Sequence, residues 1–177
     1  MLRQRRIVVS LFTLVAVLAA SSSVFAQRDR IEQRTRPTGQ IGSWSNQRAS
    51  RSVQHARNYS RDIYRYSRDA KSMEPAVAKS QSEELGRNIT KAQQELVTVQ
   101  KEVGSDPAAV SALKSINEHL AAAVKHHKML HEECCKDSVD GSICMNCCNT
   151  IILELDKAQA EHDALMRSME MKEKPSN

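Results

Sequence analysis

Four segments of the chain repeat apolar residues at alternating spacings of three and four. This spacing places the apolar side chains on one face of an α-helix. The pattern extends from about residue 48 to residue 172 and is interrupted by short linkers. We therefore predict an all-α fold, an up-down-up-down four-helix bundle over residues 48–172 in which the linkers make successive helices antiparallel. A long helical hairpin that forms a homodimer with four helices fits the same pattern.

Each predicted helix has its own seam of mostly aliphatic residues. The first two seams are Ala56, Tyr59, Ile63, Tyr66, Ala70 and Met73, then Ala78, Leu85, Ile89, Ala92, Leu96, Val99 and Val103. The third and fourth are Ala109, Leu113, Ile116, Leu120, Ala123, His127, Leu130 and Cys134, then Cys144, Cys148, Ile151, Leu155, Ala158, His162, Leu165 and Met169. Pro75 and Asp106-Pro107 are typical of helix starts, and Gly104 is typical of a helix end.

The first 26 residues have the features of a secretory signal peptide. Three arginines precede an apolar run of 14 residues, Ile7 to Ala20, which is shorter than an ordinary membrane span. Val24 to Ala26 supplies a cleavage site with a small residue at its end. We therefore predict a periplasmic or secreted protein whose mature chain holds 151 of the 177 residues. An uncleaved membrane anchor is the alternative.

Residues 27–47 are polar, contain Gly, Pro and Ser, and show no apolar period, which predicts a disordered basic arm. Residues 173–177 are predicted to be a flexible tail. Residues 27–71 carry a net charge of +7, whereas residues 72–177 carry −5. The arm is suited to weak contact with an anionic surface, and a solvated tail is the alternative. No nucleic acid is expected as a partner, because Trp44 alone does not make a stacking platform.

The remaining motifs favour a binding or structural role over an enzyme. The scattered glycines form no phosphate-binding loop, and no Gly-x-Ser-x-Gly motif is present. Both phenylalanines lie within the predicted signal peptide, so the mature core has few aromatic side chains to enclose an organic cofactor. Carboxylates such as Glu132, Glu133 and Glu154 are predicted to lie on solvated helix faces.

All five cysteines and three of the six histidines lie between His126 and Cys148. Helix periodicity places His127 and Cys134 on the third seam, and His131 lies one turn beyond His127. Cys144 and Cys148 lie on the fourth seam, with Cys147 beside it. A turn near residues 138–141 would bring Cys134 opposite Cys144, and His127 or His131 near Cys148, at one end of the bundle.

Two interpretations of this cluster remain open. Thiolate and imidazole bind soft and borderline metals, which predicts a Cu(I) or Zn(II) site. Its candidate ligands are His127, His131, Cys134, Cys144, Cys147 and Cys148. The alternative is a non-metal structural domain stapled by disulfides such as Cys134–Cys144, because cysteines of exported proteins usually pair. A redox dithiol in Cys144-Met-Asn-Cys147 is less favoured, because that motif normally lies in a mixed α/β fold.

In its helical architecture and its thiols inside a bundle, the chain resembles bacterial four-helix copper-storage proteins. Those proteins repeat Cys-x-x-x-Cys along many turns, whereas the thiols here occupy one end of the predicted bundle. A storage role with a high metal capacity is therefore not expected, and the resemblance assigns no individual ligands.

The signal-peptide prediction has a direct test. Intact-mass measurement of the protein recovered from the periplasm or medium of expressing cells is expected to show a chain that begins at Gln27. A mass that retains residues 1–26 would indicate an uncleaved anchor instead.

Overall fold

The computed structural model describes residues 38–173 and the side chains of residues 43–169. Four helices account for most of this range: α1 (Thr38–Asp69), α2 (Pro75–Val103), α3 (Pro107–Cys134) and α4 (Gly141–Glu173). No strand occurs within the described range, so the predicted all-α, four-helix fold is confirmed. None of these helices contains a stretch apolar enough to span a bilayer. The predicted signal peptide and residues 27–37 and 174–177 lie outside the described residues.

Helix α1 begins at Thr38, ten residues before the predicted start of the bundle, so the predicted arm over residues 27–47 is too long at its C-terminal end. The prediction relied on an apolar period, and this part of the helix buries small and polar side chains instead. Ser45 and Asn46 are 4% and 1% exposed, and Ala49 and Ser52 continue the same buried face. Apolar spacing therefore does not detect a buried helix face that consists of serine, asparagine and alanine.

The ends of the helices follow the signals in the sequence. Pro75 and Pro107 occupy the first turns of α2 and α3, where a missing backbone N–H costs no helical hydrogen bond. The Asp106 carboxylate accepts a hydrogen bond from the Ala108 N–H at 3.1 Å, as an N-cap does. Gly104 follows α2 with φ of 64°, a left-handed conformation that glycine adopts without a steric penalty.

The predicted seams form the core of the bundle. Most of their residues are buried, and Leu85, Leu120 and Leu155 are completely inaccessible to solvent. The exceptions at the edges, among them Tyr59, Val103 and Met169, are half-buried and pack against that core. The core is consequently aliphatic, as the shortage of aromatic residues predicts.

The cross-helix contacts fix the relative direction of α1 and α4. Asn46 near the start of α1 contacts His162 near the end of α4, and Arg57 farther along α1 contacts Asp156. Residue numbers thus rise in α1 as they fall in α4, so the two helices are antiparallel. Arg48 of α1 also forms an ion pair with Glu95 of α2 at 2.7 Å, so α1 contacts both neighbouring helices.

His162 is a polar member of the core, as predicted, rather than part of the cysteine cluster. His162 is 5% exposed, and its Nε2–H donates to the Asn46 side-chain oxygen at 3.2 Å. Its buried Nδ1 has no hydrogen-bond partner in the structure. Burial lowers the pKa of His162 by disfavouring the charged ring, and this outweighs the nearby Asp163 carboxylate, which acts in the opposite direction.

This buried imidazole predicts a pH-dependent stability. The pKa of His162 is lower in the folded chain than the value of about 6.5 expected on unfolding, so acid favours the unfolded state. The contribution of His162 to the free energy of unfolding, measured with urea, is expected to fall as the pH drops below about 6.5 and to level off below the folded pKa. His162→Gln, which keeps an amide donor for Asn46, should reduce this fall. His127, whose pKa is also lowered by burial, accounts for part of what remains.

His55→Gln is the matched control, because His55 lies on the exposed face of α1. The same pH dependence in wild type and in His162→Gln would contradict the assignment to His162.

Candidate thiol site at the α3–α4 hairpin

The hairpin between α3 and α4 is organised by a buried carboxylate. Glu133 is 4% exposed, although the sequence predicts a solvated position for it. It accepts a hydrogen bond from the Asp140 N–H at 2.9 Å and forms an ion pair with Lys136. These contacts, with the Lys136 hydrogen bond foremost, hold the pKa of Glu133 below its usual value despite burial. Glu133 therefore ties the end of α3 to the residue that precedes α4.

The other end of the hairpin is fixed by Asp140 and by α1. Asp140 Oδ1 accepts hydrogen bonds from the Ser142 and Ile143 N–H groups at 2.8 and 3.3 Å, which caps α4. Gly141 lies so close to α1 that an added Cβ would be 2.9 Å from the Ser67 carbonyl oxygen. A glycine at this position thus lets α1 close over the hairpin.

Cys134 and Cys144 face each other across this hairpin, as predicted. Their Sγ atoms are 4.0 Å apart, and both residues are completely buried. We call them the inner pair. Ser67 of α1 lies beside Cys144 and helps to lower its pKa, while its hydroxyl donates a hydrogen bond to the Ile63 carbonyl oxygen at 2.7 Å. The inner pair thus lies where three helices meet, between the last turn of α3, the first turn of α4 and the end of α1.

The two thiols of the inner pair titrate as a unit. The hydrogen bond from Cys134 lowers the pKa of Cys144, because it favours the Cys144 thiolate. That same hydrogen bond, followed by burial, raises the pKa of Cys134 far above that of a free thiol. One negative charge is accommodated here, whereas a second is strongly disfavoured unless a cation accompanies it.

Cys147 and Cys148 extend the buried thiol surface along α4. They are 5% and 0% exposed, and Cys148 lies one turn beyond Cys144 on the same helix face. Burial first, and then the neighbouring Cys144 thiolate, raise the pKa of both. Four of the five cysteines are consequently withdrawn from solvent at this end of the bundle.

His127 has a packing role towards α2. Its Nε2–H donates to the Ser82 carbonyl oxygen at 2.9 Å, so this backbone acceptor fixes the tautomer. The ring covers Gly86, where an added Cβ would lie 2.5 Å from the His127 Cε1 atom. Burial lowers the pKa of His127, and the neighbouring His131 ring lowers it further. This half-buried ring is thus held in its neutral form against α2.

His131 connects α2 to the exposed cysteine. Its Nδ1 lies 3.2 Å from the Ser82 Oγ atom, and its Nε2 lies 3.6 Å from the Cys135 Sγ atom. Cys135 is the one exposed cysteine of the five. We call Cys135 and His131 the outer pair. The rings of His131 and His127 are stacked, with centroids 6.0 Å apart.

The structure therefore distributes the six predicted ligands instead of gathering them in one cage. In residues 43–169 no three His, Cys, Asp or Glu side chains converge as a ready-made metal site. The contacts that exist are sulfur with sulfur in the inner pair and sulfur with nitrogen in the outer pair. The physical reason is the rotation of α3 about its own axis. Cys134 of α3 faces α4, whereas His127 and His131 of α3 face α2.

Two residues that shape the site were missed in the sequence. Ser82 interrupts the second seam between Ala78 and Leu85, and a buried serine in an aliphatic seam is a detectable signal for a polar partner. Glu133 gives no such signal, because it adjoins Glu132 in a charged stretch. Only the folded hairpin distinguishes these two carboxylates.

No protein-family model matches this chain, and neither the curated proteins nor the solved structures contain a significant match.

The packing of His127 on Gly86 predicts a conditional effect of mutation. Gly86→Ala is expected to lower the free energy of unfolding by about 1–3 kcal/mol, because the new methyl group collides with the ring. In a His127→Ala background the collision is absent. The same substitution should then stabilise the chain by up to about 1 kcal/mol, because alanine is the better helix former. Urea unfolding of the four variants measures both values. An equal penalty in both backgrounds would contradict this packing.

Proposed function

We propose that the hairpin end of the bundle is a binding site for a soft transition metal, and that the inner pair holds Cu(I). The observation that supports this most is the separation of 4.0 Å between two completely buried sulfur atoms, Cys134 Sγ and Cys144 Sγ. Thiolates are the ligands that Cu(I) prefers in proteins. Of the predicted ligands, Cys134 and Cys144 are kept for this site. His127 and His131 contact Ser82 of α2 and are not ligands of the inner pair.

The sulfur separation suits a shared metal ion. In a disulfide the two sulfurs are about 2.05 Å apart. Two sulfurs that each lie about 2.3 Å from one ion are roughly 3.8 Å apart at a tetrahedral angle and roughly 4.6 Å apart when the ion lies in line between them. The observed 4.0 Å falls between these two values, so an ion would require only small side-chain movements. Bond formation between the sulfurs would require about 2 Å of approach.

The number of donors favours Cu(I) over Zn(II). A structural zinc site normally has four protein ligands, and no three donors converge in the described part of the chain. Cu(I) is satisfied by fewer thiolates, and it supplies the positive charge that a second thiolate in this buried position requires. Cys148 interacts electrostatically with both members of the inner pair and is a candidate for a third thiolate.

The proposed setting is outside the cytoplasm, and the role is binding rather than catalysis. The signal-peptide features of residues 1–26 support export. For the basic arm, we propose only weak contact with anionic surfaces. Arg48, the first residue after the predicted arm, already forms an ion pair with Glu95. A metal ion is the principal partner.

A disulfide between Cys134 and Cys144 is the second candidate state, and the position of the two thiols across one hairpin favours it over other pairings. In an oxidising compartment such thiols usually pair. The bond would close a loop of about ten residues, which corresponds to about 2.7 kcal/mol of stabilisation by chain entropy. The protein would then be a stapled helical domain rather than a metal carrier.

The test is Cu(I) binding by the reduced protein under anaerobic conditions, measured by competition with a chromogenic Cu(I) chelator. Wild type is expected to bind Cu(I) tightly, and Cys134→Ser and Cys144→Ser should each weaken binding by about tenfold or more, since each removes one of two strong ligands. His127→Gln is the matched control, because this ring faces Ser82 and should leave Cu(I) affinity unchanged.

A thiol count and elemental analysis of natively purified protein separate the two candidates. Bound copper with free thiols after chelation supports the metal site. A Cys134–Cys144 disulfide found by peptide mapping, together with no Cu(I) binding after reduction, would leave the staple as the answer.

A further inference from the structure

The inner pair raises a problem of access. Cys134 and Cys144 are both 0% exposed, so a metal ion in solvent cannot contact either sulfur directly. In addition, Cu(I) in a solution that contains thiols is bound to small thiol molecules and is not present as the free ion. A ligand at the surface, close to the inner pair, would let the ion pass from one sulfur to the next.

Cys135 has the position that such a ligand needs. It follows Cys134 directly in the chain, and its thiol is exposed. Its backbone is held at the end of α3 by a hydrogen bond from the Cys135 N–H to the His131 carbonyl oxygen at 3.0 Å. The Cys135 backbone is therefore fixed next to the buried Cys134, and its thiol is exposed at the surface.

His131 supplies a second donor atom at a suitable distance. Its Nε2 is 3.6 Å from the Cys135 Sγ atom. An ion bound to nitrogen at about 2.0–2.1 Å and to sulfur at about 2.3 Å with a tetrahedral angle holds these two atoms roughly 3.6 Å apart. The outer pair thus already has the spacing of two ligands on one ion.

Ser82 orients this imidazole from α2. Its Oγ lies 3.2 Å from His131 Nδ1, and Ser82 is completely buried. Metal-binding histidines usually donate their second N–H to an oxygen acceptor, which fixes the ring and leaves the other nitrogen free to bind the metal. His127 occupies the Ser82 carbonyl oxygen at the same time, so the two rings have separate partners on one residue.

We propose that Cys135 and His131 form a solvent-facing loading site that accepts Cu(I) from a small-molecule thiol complex and passes it to the inner pair. This inference rests on the proposed function. In the first step the bond between copper and the donor sulfur breaks, and bonds to Cys135 Sγ and His131 Nε2 form. Copper remains Cu(I), and the Cys135 thiol proton goes to the released donor thiolate.

In the second step Cys134 and Cys144 replace the outer pair as ligands. Two thiol protons leave the inner pair: one returns to Cys135, and the other goes to solvent. His131 is released as a neutral ring. No electron is transferred in either step, so no oxidant or reductant is needed.

The experiment measures how fast the reduced protein takes Cu(I) from its complex with glutathione, followed by the ultraviolet absorbance of copper–thiolate bonds in a stopped-flow instrument. Cys135→Ser and His131→Gln are expected to slow loading by about tenfold or more, equivalent to about 1.4 kcal/mol in the barrier. Affinity at equilibrium, measured by chelator competition, should stay within about twofold of wild type, because the inner pair is intact. Ser82→Ala, a positioning variant, should slow loading while leaving affinity unchanged.

His126→Gln is the matched control, since it removes a neighbouring imidazole outside the outer pair and should load at the wild-type rate. Alkylation of folded wild-type protein with iodoacetamide provides a second way to block Cys135, the one exposed cysteine. Circular dichroism of each variant verifies folding. Wild-type loading rates in Cys135→Ser and in alkylated protein would overturn the loading site while the proposed function stands. Failure of wild type to bind Cu(I) at equilibrium would overturn the proposed function itself.

Discussion

The Glu133 carboxylate is the interaction on which the thiol site depends. A carboxylate that is 4% exposed must be compensated, and the Asp140 N–H and the Lys136 ammonium group do so. Both partners belong to the connection between α3 and α4, so compensating the charge also fixes the path of the chain. That path sets the first turn of α4 opposite the last turn of α3 and brings Cys134 to 4.0 Å from Cys144.

Burial gives the two thiol pairs different chemistry. The inner pair lies in an apolar interior, where one thiolate is stabilised by the partner thiol and a second charge requires a cation. The outer pair lies at the surface, where ligands can be exchanged with molecules in solution. Adjacent residues, Cys134 and Cys135, belong to the two different environments because successive positions on a helix are rotated by about 100°. A retaining site and a loading site can therefore share one helix end.

Helix α2 contributes to the site without providing a ligand. Ser82 uses its carbonyl oxygen for His127 and its hydroxyl group for His131, and Gly86 leaves room for the His127 ring. These contacts hold the His127 ring against α2 and direct the His131 ring towards Cys135. The geometry of the hairpin end is thus set by three helices, while α1 covers it from the remaining side at Ser67.

The sequence by itself determined the helical fold, the four seams and the meeting of Cys134 with Cys144, because a period of 3.6 residues fixes which side chains share a helix face. It also placed the helix ends at Pro75, Gly104 and Asp106, where local backbone chemistry decides. It did not reveal the polar first turns of α1, whose buried asparagine is paired with a histidine 116 positions away. Only the tertiary structure decided that His127 and His131 face α2 and that Glu133 is buried. Those outcomes depend on how each helix is rotated against its neighbours, and periodicity within a single helix carries no information about that rotation.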